Sequence, residues 1–278
     1  MKRHERLERF TPVLLSVSFL FLAVLVVLGA AAPWLPLPDP AAVDLLSKNA
    51  GASSAHWFGT DHLGRDVAAR LVWGIRTTLF SSLLATVLTA GFGIVLGVFS
   101  AAAGDRTDRF LMRVTDLWMS FPGEVLILAL VGVLGPGLEN VLLACLIAKW
   151  PWYARMSHAM VLHLLSSGFV RFAKLSGAGR GRILRTHLLP NLAGECAVLA
   201  TVDAGAMVLL ISSLSFLGLG AQPPSAEWGV MLFDARLVMS VRPEAMLPPG
   251  LAIVAVVTAL HFLGDRLRDA FDVKGRRS

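Results

Sequence analysis

Runs of about twenty apolar residues are the feature that most restricts what this sequence can fold into. The first, Val13 to Ala32, is almost unbroken, and at about 1.5 Å per residue it matches a hydrocarbon core roughly 30 Å thick. Similar runs recur, and hydrophobic residues make up 55% of the chain against 16% charged residues. Because backbone groups in lipid must be satisfied within helices, the sequence predicts an all-α polytopic membrane protein.

The runs predict six transmembrane helices. The first is too long for a signal peptide and lacks a small-residue cleavage site, so we expect it to remain as a span. The third is interrupted at Phe121-Pro122-Gly123-Glu124, where the proline is expected to bend the helix. The predicted spans are Val13 to Ala32, Thr77 to Ala103, Val114 to Leu134, Asn140 to about Leu164, Asn191 to Leu214 and Leu247 to Leu263.

The distribution of basic residues predicts the orientation. With the N-terminus inside, the cytoplasmic segments carry most of the 25 Lys and Arg residues. This asymmetry follows the positive-inside rule, so both termini are expected in the cytoplasm. The formal charge of +6 therefore has a topological explanation and does not indicate nucleic-acid binding. Cys145 and Cys196 lie inside apolar spans and are expected to be buried free thiols.

A polar stretch from Phe169 to Pro190 separates two apolar spans, and its basic residues place it in the cytoplasm. Gly177, Gly179 and Gly181 are expected to end one short helix and allow a turn into a second, Arg182 to Leu189, with Pro190 limiting its extension. The predicted apolar positions are Phe169, Phe172, Ala173 and Ser176 on the first helix and Ile183, Leu184, His187 and Leu188 on the second. Such a helix pair suits a groove on a soluble partner, and it also suits an amphipathic loop on lipid headgroups.

A second polar stretch, Pro33 to Arg76, is predicted to be an irregular extracytoplasmic loop. Asp61, His62 and Asp66 within it are residue types that bind metal ions. The alternative is a rigid loop in which Asp and Arg residues pair and glycines permit tight turns.

The order of residues in both stretches resembles a known family. From His56 to Arg76 the chain reads H-x2-G-T-D-x2-G-R-D-x3-R-x3-G-x-R, similar to the loop after the first helix in ABC-importer permeases of the dipeptide/oligopeptide/nickel family. The frame Ala173-x3-Gly177-x9-His187-x-Leu189-Pro190 resembles the EAA signature of such permeases. Further similar segments are Ser215 to Gly220, Glu227-Trp228-Gly229-Val230-Met231 and Gly264-Asp265-x-Leu267-Arg268-Asp269.

The resemblance implies a type I permease whose Phe169–Pro190 segment is a coupling helix seated on a cytoplasmic ATPase. The implied coupling residues are Ala173, Gly177, His187, Leu189 and Pro190. Arg171, Phe172 and His187 depart from the family pattern, which has Glu, Ala and Ile there. The Gly and Leu-Pro anchors and their spacing remain, so the backbone shape is expected to be kept. The resemblance also implies that the 33–76 loop is structural, with no metal site.

Two acidic residues within predicted spans are candidates for a translocation path. Asp203 lies about 12 residues into the fifth span, and Glu124 lies beside the bend in the third. Ionisable groups in a membrane usually face a cavity or a partner. The alternative is that both are held in hydrogen bonds or an ion pair between helices.

The resemblance extends from about Ala41 to Asp272 and is strongest to the second permease subunit of nickel importers. It implies a bacterial inner-membrane protein that acts with a homologous permease, two ATPases and an extracytoplasmic binding protein. Nickel or a metal chelate is the first expected substrate, and di- or oligopeptides are the alternative. The chain lacks a phosphate-binding loop, so no cofactor or enzymatic activity is expected of it.

Two other classes remain open from the residues alone. A secondary transporter or channel can have six spans and carboxylates near the midplane, although it would not need a docking loop. A membrane enzyme would need catalytic residues at one depth. The predicted organisation is residues 1–76 with the first helix and outer loop, 77–272 with the core permease, and a 273–278 tail.

Overall fold

The computed structural model describes the backbone of residues 2–275 and the side chains of residues 17–271 other than Lys174 and Arg180. Residues 276–278, at the end of the predicted tail, lie outside the described residues. The protein is all-α, as predicted. The α-helices are α1 Lys2–Ala31, α2 Val67–Gly74, α3 Ser81–Ala103, α4 Asp105–Met119, α5 Gly123–Leu134, α6 Leu138–Leu165, α7 Gly168–Leu175, α8 Arg180–Ile183, α9 Leu189–Phe216, α10 Trp228–Arg236 and α11 Leu247–Gly275.

Short segments with other helical geometry connect several of these helices. Two π-helical segments, Ile75–Phe80 and Leu184–Leu188, join α2 to α3 and α8 to α9. Three 3-10 turns occupy Ala32–Trp34, Leu45–Ser47 and Pro243–Met246. One predicted loop is therefore partly helical: the loop expected from Pro33 to Arg76 contains α2.

Four stretches in the described residues are long and apolar enough to cross a membrane: Val17–Trp34, Val67–Ala103, Gly181–Phe216 and Pro243–Phe271. The pair α4 and α5, bent by 79°, brings the number to five if it forms one broken span. The expected six-span count is not confirmed. Helix α6 has 28 residues, but Lys149 and Arg155 interrupt its apolar sequence.

The expected break in the third span is present, but its first half differs from the prediction. Helix α4 begins at Asp105, after Gly104 at φ +93°, and carries Asp105 and Asp108 in its first turn, where acidic residues favour a helix N-terminus. The helix therefore begins before Val114, the expected start of the third span. Helix α5 starts after Pro122 and has only 12 residues, about 18 Å, which is too short to span alone.

The chain forms two compact units. The first comprises Met1–Leu84, Val131–Leu142 and Val202–Leu263, and the second comprises Ala85–Leu130, Leu143–Thr201 and Gly264–Ser278. In the first unit, α1, α2, α9, α10 and α11 bury a core that includes Leu79, Val208, Trp228 and Val256. In the second unit, α3, α6, α7, α8 and α9 bury Val161, Val170, Ile183, Leu188 and Leu192.

Close helix packing in the second unit depends on two glycines of α3. A Cβ at Gly93 would lie 2.5 Å from the Trp150 carbonyl oxygen, and one at Gly97 would lie 2.2 Å from that of Ala154. Both oxygens belong to α6, so the two helices approach as small residues in membranes allow. Cys145 and Cys196 are buried thiols that are not joined in a disulfide, as predicted.

Candidate functional site

Helix α7 ends in a backbone motif formed by residues that the sequence singled out. The Ala178 N–H donates to the Ala173 carbonyl oxygen at 3.0 Å, and Gly177 between them has φ +79°. This six-residue hydrogen bond across a left-handed residue is the Schellman arrangement, which glycine adopts at low cost. The predicted turn at Gly177 is therefore present, and Ala173 and Gly177 serve its backbone geometry.

The second short helix differs from the prediction because it does not stop at Pro190. Helix α8 runs into the π-helical Leu184–Leu188, and α9 continues from Leu189 through the proline. The Leu189 N–H bonds the Leu184 carbonyl, five residues back. A proline donates no N–H, and in an α-helix its ring crowds the preceding turn. The π-helical turn Leu184–Leu188 is wider than an α-helical turn, and we attribute the continuation of the helix through Pro190 to it. Gly181, expected in the turn, lies within α8.

The predicted apolar positions separate into an inner and an outer set. Ile183 and Leu188 are buried with Val170 in the core, and Ala173 packs against them, so they anchor the segment instead of projecting as knobs. Phe172 is 73% exposed, and Leu175, which the prediction did not include, is 87% exposed.

The ring of Phe169 lies 6.0 Å from that of His187, which joins α7 to the second half of the segment. His187 is half-buried, whereas Leu189 and Pro190 are exposed.

The 33–66 loop is held to α10 by a buried group of four charges. Arg65 donates from Nε to Asp61 Oδ2 and from Nη2 to Asp234 Oδ2, both at 2.6 Å. Arg70 Nη2 lies 3.3 Å from the same Asp234 oxygen. The arginine side chains are 2% and 1% exposed. Two carboxylates balance two guanidinium groups, so the buried charges are paired.

The three residues considered for a metal site do not come together. Asp66 caps α2 by accepting the Ala69 N–H at 2.7 Å and also contacts His56 Nδ1 at 2.8 Å. Asp61 and His62 instead lie with Asp234, their candidate ligand atoms within 4.8 Å of one another.

His62 Nδ1 in that cluster is buried without a hydrogen-bond partner. The carboxylates of Asp61 and Asp234 in this cluster, however, already face Arg65 and Arg70. A divalent cation there would add positive charge beside two guanidinium groups. The arrangement fits an ion-pair clamp.

A turn at the tip of this loop is fixed by Asp44. Its carboxylate accepts the Ser47 hydroxyl at 2.7 Å and the Leu46 N–H at 3.1 Å. These hydrogen bonds, chiefly that from Ser47, hold the pKa of Asp44 below its usual value. Gly64 has φ +77°, and a Cβ there would lie 1.7 Å from the Asp44 carbonyl oxygen. The loop is therefore a fixed structure.

Comparisons with known proteins show the family of the chain. Residues 93–277 match the family described as binding-protein-dependent transport system inner membrane component. The chain belongs to this family. It is a multi-pass inner-membrane permease, a transport component rather than an enzyme. Permeases of this family work in general with a partner permease, an ATPase and a binding protein.

Individual relatives cover most of the permease. It is 41% identical over 92% of both chains to the nickel transport system permease protein NikC of Escherichia coli K12. It is 39% identical to the metal-staphylopine import system permease protein CntC of Staphylococcus aureus, over 89% of this chain and 86% of that one. It is 35% identical to the probable D,D-dipeptide transport system permease protein DdpC of Escherichia coli K12, over 92% and 86%.

Solved structures support the fold of the permease. A chain of the inward-facing MetNI methionine ABC transporter aligns with a TM-score of 0.59 at 19% identity, covering 73% of this chain and 96% of that one.

The two carboxylates expected to line a path lie in different units of the permease. Glu124 lies in the first turn of α5, directly after the bend, and is exposed. Asp203 lies on α9 and is half-buried.

Sequence reasoning missed the role of two acidic residues of the permease, Glu227 and Asp234. Glu227 is completely buried and accepts hydrogen bonds from Thr78 Oγ1 at 3.0 Å, Ser212 Oγ at 2.9 Å and the Val230 N–H at 2.9 Å. It thereby caps α10 and holds it to the π-helical segment and to α9. Glu227 belongs to the Glu-Trp-Gly run that resembles the family, but the sequence does not show its partners. Thr78 and Ser212 come into contact with Glu227 only in the folded protein.

Proposed function

We propose that this permease forms, with a homologous permease, the translocation path of an ATP-driven importer for nickel or a metal chelate. The observation that carries the proposal is the 41% identity to a nickel permease across 92% of both chains. The relative named for metal-staphylopine import, at 39% identity, supports the same substrate class.

The proposed orientation places both termini and the α7–α8 segment in the cytoplasm. The excess of Lys and Arg in those segments supports it, since positively charged loops stay inside. In this orientation α7 and α8 project toward the ATPase, and the 33–66 loop faces the binding protein.

Coupling to ATP hydrolysis is proposed to pass through Ala173, Gly177, His187, Leu189 and Pro190. The Schellman turn at Gly177 and the buried Val170, Ile183 and Leu188 support this role, because they join the exposed segment firmly to α6 and α9. A rigid connection transmits a displacement of the partner to the membrane helices.

Glu124 and Asp203 are proposed to face the path. Carboxylates within apolar helices are costly against lipid and favour a cationic cargo when they line a cavity. Their negative charge suits a nickel ion, a cationic chelate or the amino group of a peptide.

A second candidate substrate is a dipeptide or oligopeptide. It is supported by the 35% identity to the probable D,D-dipeptide permease over 92% of this chain.

Uptake assays in cells that lack this chain decide between the substrates. We expect restored uptake of radioactive nickel when the chain is supplied, with labelled dipeptide uptake unchanged by its presence. Restoration of dipeptide uptake alone would replace nickel with a peptide substrate. Uptake that continues when the ATPases are inactivated would instead indicate an ATP-independent transporter or channel.

A further inference from the structure

The exposed surface of α7 and α8 carries only positive charge. The sequence has no acidic residue between Glu139 and Glu195. Arg171, Arg182 and Arg185 are exposed. Among the ion pairs of the described residues none involves these three arginines. Their charges are therefore available to a partner.

Two apolar side chains project from the same short helix. Phe172 and Leu175 are 73% and 87% exposed and are three residues apart, so they lie on one face of α7. Arg171 directly precedes Phe172. An exposed aromatic and aliphatic pair beside cations is typical of a contact in which the apolar groups fill a pocket and the charges set the rim.

The surface is also fixed before a partner binds. The 3.0 Å hydrogen bond across Gly177 sets the direction of the chain after α7, and Val170 of α7 is completely buried. A surface that is already ordered loses little conformational entropy on binding, which favours a specific protein contact.

We propose that the α7–α8 surface docks into an ATPase groove that is apolar at its floor and acidic at its rim, with Arg171 facing an acidic residue. This inference rests on the proposed function and adds the chemistry of the partner. The family signature that the segment resembles has a glutamate at the position of Arg171. The groove of an ATPase that binds this chain therefore differs in charge from the groove of an ATPase that binds a permease with glutamate at this position. Each ATPase then discriminates against the permease of the other.

Lipid headgroups are the other anionic surface in reach of these arginines. The strength with which a helix binds headgroups scales with the apolar area that it buries and with the number of basic residues. Helix α7 has eight residues and α8 has four, and the chain turns between them at Gly177. This geometry favours a protein groove.

The test compares Arg171→Glu with Arg171→Gln in the permease complex, reconstituted with its own ATPases in nanodiscs of neutral phosphatidylcholine. We expect Arg171→Glu to weaken ATPase association roughly tenfold at low ionic strength, Arg171→Gln to weaken it less, and the difference to shrink at high salt. Arg106→Glu is the matched control, because Arg106 is an exposed arginine of α4 outside the surface. A Glu→Lys or Asp→Lys change in the ATPase groove is expected to restore binding to Arg171→Glu.

Three results would contradict the inference in different ways. If the ATPase associated equally with Arg171→Glu and with the wild type, the groove would not have the acidic rim that we propose. A loss seen only in nanodiscs containing anionic phosphatidylglycerol would assign the arginines to headgroups. A wild-type complex that holds no ATPase would overturn the proposed coupling itself, and the inference with it.

Discussion

The carbonyl oxygen of Ala173 accepts the N–H of Ala178 at 3.0 Å, across a glycine held at φ +79°. Two of the residues that match the coupling signature, Ala173 and Gly177, thus form the C-terminal turn of one helix. They set a backbone direction at this point, whereas Arg171 and Phe172, which depart from the signature, face outward.

Gly177→Ala is expected to impair coupling through the backbone. No atom lies within 4 Å of a Cβ built at Gly177, so the cost comes from the left-handed conformation, about 1–2 kcal/mol. Asparagine tolerates this conformation better, so Gly177→Asn is expected to lose less ATPase co-purification and uptake than Gly177→Ala or Gly177→Asp. Gly179→Ala is the control, since its Cβ also meets nothing and its φ is not positive. Equal activity of Gly177→Ala and wild type would show that the turn is not required.

Asp234→Ala is expected to destabilise the permease by about 3–5 kcal/mol, because it leaves Arg65 and Arg70 buried with one carboxylate between them. The measurement is the melting temperature of the purified protein in detergent. Asp39→Asn serves as control, because Asp39 is exposed on the same loop. A melting temperature for Asp234→Ala within the range of that control would contradict the clamp.

Gly97→Ala is expected to separate α3 from α6, because the added Cβ would lie 2.2 Å from the Ala154 carbonyl oxygen and from Ser157 Oγ. Gly91 on the same helix provides a matched control, since a Cβ there meets nothing within 4 Å. Gly91→Ala is expected to be neutral or to stabilise by up to about 1 kcal/mol through helix propensity. Thermal unfolding of the two variants gives the comparison, and equal stability would refute the close packing.

Glu227→Ala is expected to cost about 2–4 kcal/mol of stability, because it removes the α10 cap and leaves buried hydroxyl and N–H donors unpaired. Glu227→Gln retains one acceptor oxygen and is expected to lose less. Thermal unfolding measures both, beside Glu244→Gln at an exposed carboxylate. If the alanine variant were as stable as the glutamine variant, the hydrogen-bond account would fail.

Asp203→Asn and Glu124→Gln are each expected to lower uptake severalfold without reducing ATPase co-purification, since they remove charge from the proposed path and leave α7 and α8 unchanged. Glu195→Gln is the control, because Glu195 is a carboxylate near the start of α9 that is not assigned to the proposed path. Radioactive nickel uptake is the measurement. Unchanged uptake in both path variants would assign the two carboxylates to helix packing.

Several features followed from local sequence alone. The length of the apolar runs determined the all-α membrane class, because a helix of about 20 residues satisfies its own backbone across the bilayer. The break near Pro122 and the turn at Gly177 were also predictable, since a proline and a glycine restrict or free the backbone at their own positions.

The tertiary structure decided which side chains face a partner and which charges pair. Ile183 and Phe172 are both apolar residues of the docking segment, yet one is buried and the other exposed, because only packing against α6 and α9 distinguishes them. Arg65 meets Asp234 across a separation of 169 residues, and Thr78 meets Glu227 across 149. No local pattern carries such pairings, since they depend on how distant helices come together.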